Sequence, residues 1–413
     1  MKKNGRPNRI IEVRNGIIGP AQPKGRKLKR RTREDYPEIH PYHLVIAEHY
    51  SSPLLMGPPL CDELVELVVH MFNEEEASLV RHIKPLGSYT VTELAARERR
   101  PVEEIVPILN RLTSEKRLLL KRNGGEKNRY YILPIVPGTF ELALIRPSMD
   151  LLTPWHVKFA KLFEKLFETG YMLDYSNNPS PVVRYLPVGQ SIEAHPMALP
   201  SDKLEEVFGR YKDFGVGLCQ CRMTEELVGN GCGKDMLNCT VMGPGAIQGI
   251  EQGYLKKMTL PDVIEIKKAA EEQGLITWMI MEESGMTTTA SCSCCGCCCH
   301  MLRTITEYNA PGWIAPPHFV PEFDDEKCTG CGKCARACPM GGIVADTKAK
   351  TVTHLIDRCV GCGQCVIACD KEKAITMQDI KGYKAPPDSL RSLLVKSLPG
   401  YLKTAWQVYR RYR

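Results

Sequence analysis

The pattern of apolar and polar positions changes character several times along the chain, and each change predicts a different element. Near residue 61, CDELVELVVHMF places Leu64, Leu67, Val68 and Met71 on one face at helical spacing. TVTELAARERR at 90–100 opens on Thr90, which suits a helix N-cap. RPVEEIVPILNRLTSEK at 100–116 holds Pro101 where a first helical turn tolerates it. Two short apolar runs, RLLLKR and RYYILPI, then flank NGGEKN, whose paired glycines suit a hairpin turn. Three helices and a two-stranded wing predict a winged-helix-like domain, centred on 62–135 and bounded at 41–142.

Downstream the same reading predicts a packing helix at 155–169 (WHVKFAKLFEKLFET), a strand at 182–189 (VVRYLPVG) and a capped amphipathic helix at 201–214 (SDKLEEVFGRYKDF). LPDVIEIKKAAEEQG at 260–274 predicts a helix ended by Gly274, and LITWMIME after it a buried strand. Residues 1–40, rich in Pro, Gly and Arg, show neither period and are predicted to form a basic extended arm. In the tail at 383–413, Leu390, Leu394, Leu398, Leu402, Trp406 and Tyr409 make an apolar stripe ringed by basic residues. It predicts two amphipathic helices broken at Pro399–Gly400, suited to a membrane surface or a partner protein.

Charge sharpens the two ends. The net charge is +7, but residues 1–33 carry +11 and residues 379–413 carry +6, which leaves −10 on 34–378. Basic ends on an acidic body point to anionic contacts at the ends only. In the winged-helix-like domain, Glu103 and Glu104 near the start of the candidate reading helix oppose phosphate, and only Arg111 and Lys116 follow them as cations. The wing, with Lys121, Arg122, Lys127 and Arg129, is basic and argues the other way; on balance protein docking or a structural role is expected and DNA binding is the lesser reading. No run approaches the ~18 apolar residues of a spanning helix. The N-terminus MKKNGRPNRIIEV lacks the apolar segment of a secretory signal, so a cytoplasmic location is expected, with membrane association through the tail.

A cytoplasmic location keeps thiols reduced, which changes the meaning of the cysteines. There are nineteen, and only Cys61 precedes residue 219. Clustered cysteines in such a setting are metal ligands before they are disulfides. CTGCGKCARAC at 328–338 and CVGCGQCVIAC at 359–369 share C-x2-C-x2-C-x3-C spacing, the second repeating the first after 31 residues. Three closely spaced thiolates can wrap one iron–sulfur cube while the fourth, a helical turn on, serves the other cube. Cys328, Cys331, Cys334 and Cys369 are therefore predicted to hold one [4Fe–4S] cluster, and Cys359, Cys362, Cys365 and Cys338 a second. A short helix is expected after each cysteine run. Zinc fits this spacing poorly, since its ligands come as separated pairs.

Ten more cysteines lie between. Cys219, Cys221, Cys232 and Cys239 form one sequence group; Cys292, Cys294, Cys295, Cys297, Cys298 and Cys299, in SCSCCGCCCH, form another. Ten thiolates suffice for one or two further iron–sulfur clusters, with zinc, a redox-active dithiol or plain packing as alternatives. Neighbours such as Cys294 and Cys295 diverge in an extended chain, so one cluster cannot use all six of the second group. His300 is a candidate ligand or a neighbour of one.

Residues 320–380 resemble two-cluster bacterial ferredoxins, with Asp370 where proline is usual. Over about 40–380 the chain resembles a group of ferredoxin-family iron–sulfur proteins, on CQCR (219–222), GNGCGKDMLNC (229–239), CSCCGCCC (292–299) and the ferredoxin runs. The fold expected is α+β and multidomain: the winged-helix-like domain, a cysteine-rich αβ middle domain at 143–318, and a duplicated βαβ-type ferredoxin-like domain at 319–382. The resemblance implies redox function and names no substrate. No nucleotide or flavin fingerprint is present: GVGLCQC lacks the G-x-G-x-x-G order, and GNGCGK lacks a following Ser or Thr. The expected function is electron transfer to or from a partner redox enzyme. The alternatives are a redox-sensing DNA-binding regulator and an oxidoreductase with a catalytic middle cluster.

Overall fold

A computed structural model describes residues 9–122, 128–176, 181–280, 288–310, 314–387 and 389–412. The chain divides into two units, one built from residues up to 25, 146–149 and 176–401, the other from 26–145, 150–175 and 402–413. Helix exceeds strand, 45% against 17%, and every pair of strands is antiparallel among the described residues, which places the protein in the α+β class.

The helical unit follows its apolar spacing closely. Helix Asp62–Met71 buries Leu64, Leu67, Val68 and Met71 completely and packs on helix Pro154–Phe167. Helix Val91–Glu98 starts from Thr90 in a capping box with Glu93, and helix Val102–Asn110 continues into one wider turn, Arg111–Glu115. Strands Leu119–Arg122 and Arg129–Ile132 pair as a hairpin, and Tyr89 bridges to Tyr130 beside it. The turn NGGEKN, with Lys127, falls largely outside the described residues. Cys61 is fully buried at the start of its helix and belongs to this core.

The other unit is built on a six-stranded sheet in the order Val183–Tyr185, Ile276–Ile280, Thr289–Cys294, Leu237–Met242, Phe214–Leu218, Lys256–Met258. Phe208, Phe214, Val216, Met242, Val263 and Met279 form a buried core on it, closed by helix Leu260–Glu272. Gly274 ends that helix at φ +70°. The helix expected over 201–214 is only Leu204–Phe208, because the chain enters the sheet at Phe214.

Two expectations are corrected. The first forty residues are not an extended arm throughout: Ile11–Arg14 and Ile17–Pro20 form a hairpin about Asn15–Gly16. Ile18 pairs with Ala345 and is fully buried, so the hairpin completes a four-stranded sheet with Ile343–Asp346 and Thr351–His354. An Asn-Gly pair between apolar residues is a strong hairpin signal, masked here by the surrounding arginines. The tail is also one helix rather than two, Leu390–Tyr412, running through Pro399. Leu394, Leu398, Leu402, Trp406 and Tyr409 are all about half exposed along it. No helix among the described residues is long and apolar enough to cross a membrane.

Candidate metal centres

In the C-terminal cysteine-rich region the two runs fold alike. Gly332 and Gly363, at φ +71° and +74°, each turn the chain into a five-residue helix, Lys333–Ala337 and Gln364–Ala368. These helices lie inside the cysteine runs, not after them as expected, because the x3 spacing between third and fourth cysteine is itself the helical turn. Around them Phe319–Phe323 pairs with Ile375–Asp379. Cys328, Cys331, Cys334 and Cys369 line one small cavity, walled by Phe323, Val352 and Ile375. Burial pushes the Cys334 thiol up to about 11. The other four gather separately: burial, and then the charge of Cys338, push the Cys362 thiol up, and Cys359 is pushed up to about 12 by burial. Backbone N–H groups donate to two of these sulfurs, Gly342 to Cys338 at 3.2 Å and Gly361 to Cys359 at 3.4 Å. Such bonds favour the negative charge of a ligated thiolate.

Asp370, exposed and 3.7 Å from Lys333, stands where the first run has Pro339. The backbone explains the difference. Cys338 has ψ 111°, which a following proline accepts, whereas Cys369 has ψ 39°, which a following proline opposes.

The ten middle cysteines do not sort by sequence group. Cys232, Cys295, Cys297 and Cys298 come together, every Sγ within 4.8 Å of the others. Cys219, Cys221, Cys239, Cys292, Cys294 and Cys299 form a second set, linked thiol to thiol from Cys239 through Cys292, Cys294, Cys299 and Cys221 to Cys219. Strand geometry divides them: Cys292 and Cys294 share a face of the strand Thr289–Cys294, and Cys295 turns the other way. His300, buried, lies with Nδ1 3.2 Å from Cys221 Sγ.

Two cations missed in the sequence sit among these thiols. Lys267 is fully buried and donates to Asn238 O, Ser291 O and Ser293 Oγ at 3.2–3.3 Å. Burial lowers it to about 8, opposed by Cys292, Cys239 and Cys294. Arg222, 1% exposed, donates to Ser293 O at 2.7 Å and to Asn238 Oδ1, and faces Cys219, Cys295 and Cys294. A buried cation without an anion is costly, so this set of thiols fits an anionic metal–thiolate group. Tyr185 agrees: its fully buried hydroxyl has no nitrogen or oxygen partner and lies against Cys294. The signal was available, since Lys267 occupies an inward position with Val263 and Ala270 on an otherwise amphipathic helix.

The middle thiols abut the C-terminal cysteine region. Cys294 and Cys299 share a buried cluster with Met340, Val360 and Cys362, and Cys338 packs against it. A Cβ on Gly296 would lie 1.8 Å from Pro339 O. A cavity of about 440 Å³ is lined by Cys232, Cys295 and Cys297 on one side and Cys338 on the other. Gln364 Nε2 donates to Glu271 O and Leu275 O at 2.9 and 3.2 Å, and Val188 N to Cys362 O at 2.9 Å.

In the helical unit, the cations of the candidate reading helix are already engaged. Arg111 pairs with Glu75 and Glu76 at 2.8 Å, and Lys116 with the buried Glu76 at 2.5 Å. Arg129 of the hairpin bonds Ser88. The basic N-terminus is partly neutralised as well: Arg9 pairs with Glu225 at 2.9 Å and Lys24 with Glu307 at 3.0 Å.

Residues 322–382 match the family model of the 4Fe-4S dicluster domain. No curated protein and no solved structure matches the chain. The matched domain, with its gathered thiols, makes this an iron–sulfur protein with a general role in electron transfer.

Proposed function

We propose that the chain relays single electrons to or from a partner redox enzyme, using two [4Fe–4S] clusters in the dicluster domain and a further iron–sulfur cluster in the middle region. In this reading Cys328, Cys331, Cys334 and Cys369 hold the first cluster. Cys359, Cys362, Cys365 and Cys338 hold the second. The third draws its ligands from Cys219, Cys221, Cys239, Cys292, Cys294 and Cys299. Such clusters supply one-electron capacity. The chain supplies thiolates, N–H donors at Cys338 and Cys359, charge compensation by Lys267 and Arg222, and packed apolar contact between the sites.

The observation that carries the proposal is contiguity: Cys294 and Cys299 share one buried cluster with Cys362, and Cys338 packs against it. We read the helices and hairpin at 62–135 as a winged-helix-like module for protein docking. The engagement of Arg111 and Lys116 by Glu75 and Glu76 supports that over a DNA-reading role. The exposed apolar stripe of Leu390–Tyr412 supports peripheral attachment to an anionic surface.

The test is iron and sulfide analysis with EPR on anaerobically purified full-length protein. About twelve irons per chain are expected, with Cys292→Ser losing about four of them while both dicluster signals persist. A count of about eight, unchanged by Cys292→Ser, would limit the chain to the dicluster domain and end the middle-cluster reading.

A further inference from the structure

Cys232, Cys295, Cys297 and Cys298 are drawn together more tightly than a cube permits. Cys232 Sγ lies 3.9 Å from Cys295 Sγ, and Cys297 Sγ 3.7 Å from Cys298 Sγ, with all four within 4.8 Å of one another. In a [4Fe–4S] cluster each thiolate binds a different corner, which sets the sulfurs about 6 Å apart. Around a single tetrahedral ion with metal–sulfur bonds of about 2.3 Å, the sulfur–sulfur edge is about 3.8 Å. Among the described residues no other set of three or more cysteines is gathered so closely, the eight dicluster thiols included.

We propose that Cys232, Cys295, Cys297 and Cys298 bind one zinc ion in a tetrahedral, all-thiolate site. Four thiolates around a divalent ion leave a net charge of −2, and two cations stand at that place. Buried Arg222 faces Cys295, and Arg9 donates to the carbonyl of Cys297. The turn that brings the ligands round is also fixed from behind, where Thr306 Oγ1 donates to Gly296 O at 2.8 Å.

The ion has a positional role. Residues 295–298 are bracketed by Cys294 and Cys299, both members of the six-thiol set. Tying 295–298 to Cys232, which comes from the loop before strand Leu237–Met242, fixes both flanking thiols. A closed four-thiolate zinc site has no open position and no redox step. It therefore holds the neighbouring thiols in place without carrying electrons.

This proposal is separable from the electron-relay reading, because it concerns zinc and that one concerns iron. Metal analysis of the anaerobically purified full chain is expected to give about one zinc, with four sulfur neighbours at about 2.3 Å by zinc-edge X-ray absorption. Cys298→Ser and, from the other loop, Cys232→Ser are each expected to lose that zinc and keep the dicluster iron. Absence of zinc, nitrogen or oxygen in place of sulfur, or a loss of about four irons in Cys298→Ser would overturn it. The absorption measurement needs no variant, so a variant that fails to fold leaves the proposal exposed to refutation.

Discussion

The dicluster domain and the middle region each collect cysteines, but they do so in opposite ways. At 328–338 and 359–369 all but one thiol of each set comes from a single short loop, and a five-residue helix delivers the fourth thiol to the sister set. In the middle region Cys219 precedes one helix, Cys239 sits on one strand, Cys292 and Cys294 on its neighbour, and Cys299 caps another helix. The first arrangement is local and exists wherever its loop exists. The second exists only after a six-stranded sheet has formed, and it encloses two buried cations, Lys267 and Arg222. Spacing identifies the first kind of site; a charged residue in a core position identifies the second.

The largest test of this contrast is at the seam. Gly296→Val should clash with Pro339 O and destabilise the unit by about 1–3 kcal/mol or more, read as a fall in Tm. It should also disturb EPR signals from both regions at once, and a change confined to one would show that the regions are independent. Lys267→Met comes next. Removing a buried cation beside these thiols should make reduction of the proposed middle cluster harder, moving its midpoint potential to more negative values. Lys333→Gln, exposed in the dicluster domain, should leave potentials nearly unchanged. Equal shifts in the two variants would erase the distinction between charge-compensated and solvent-compensated sites.

Smaller effects probe the repeat. Asp370→Pro makes the second run look more like the first, yet it should cost about 1 kcal/mol or more, because Cys369 lies outside the backbone region that precedes proline. A rise in Tm would refute the backbone account. The smallest effect concerns Glu271, whose carbonyl accepts from Gln364 across the seam. Burial raises its carboxyl from the usual 4.5 to about 7. Its contribution is therefore fully present below pH 4.5 and is lost as pH rises through about 7. Glu271→Gln should flatten the pH dependence of Tm across that window.

Much of this was legible in the sequence for physical reasons that can be named. Helices Asp62–Met71 and Leu260–Glu272 follow from apolar period and caps, and the dicluster spacing is a local ligand geometry. The divergence of Cys294 from Cys295 follows from strand pleat alone. What could not be read was which distant thiols meet. Cys232 joins Cys295 although Cys239, its near neighbour, joins Cys292, and only strand register decides that. The N-terminal hairpin was hidden for a different reason: four strand residues on either side of Asn15–Gly16 are too few to outweigh a basic composition.

That hairpin has a consequence for how the protein is made. Ile18 leaves the ribosome first, and its partner Ala345 follows 327 residues later. At about 5–20 residues per second, the hairpin waits roughly 15–65 s with an unpaired edge. The sheet beside Cys334 and Cys338 can be closed only after residues up to Asp346 have emerged. Loading of the dicluster domain and capture of the hairpin then fall in the same interval, so a shortage of iron would leave a segment made long before as the one still exposed.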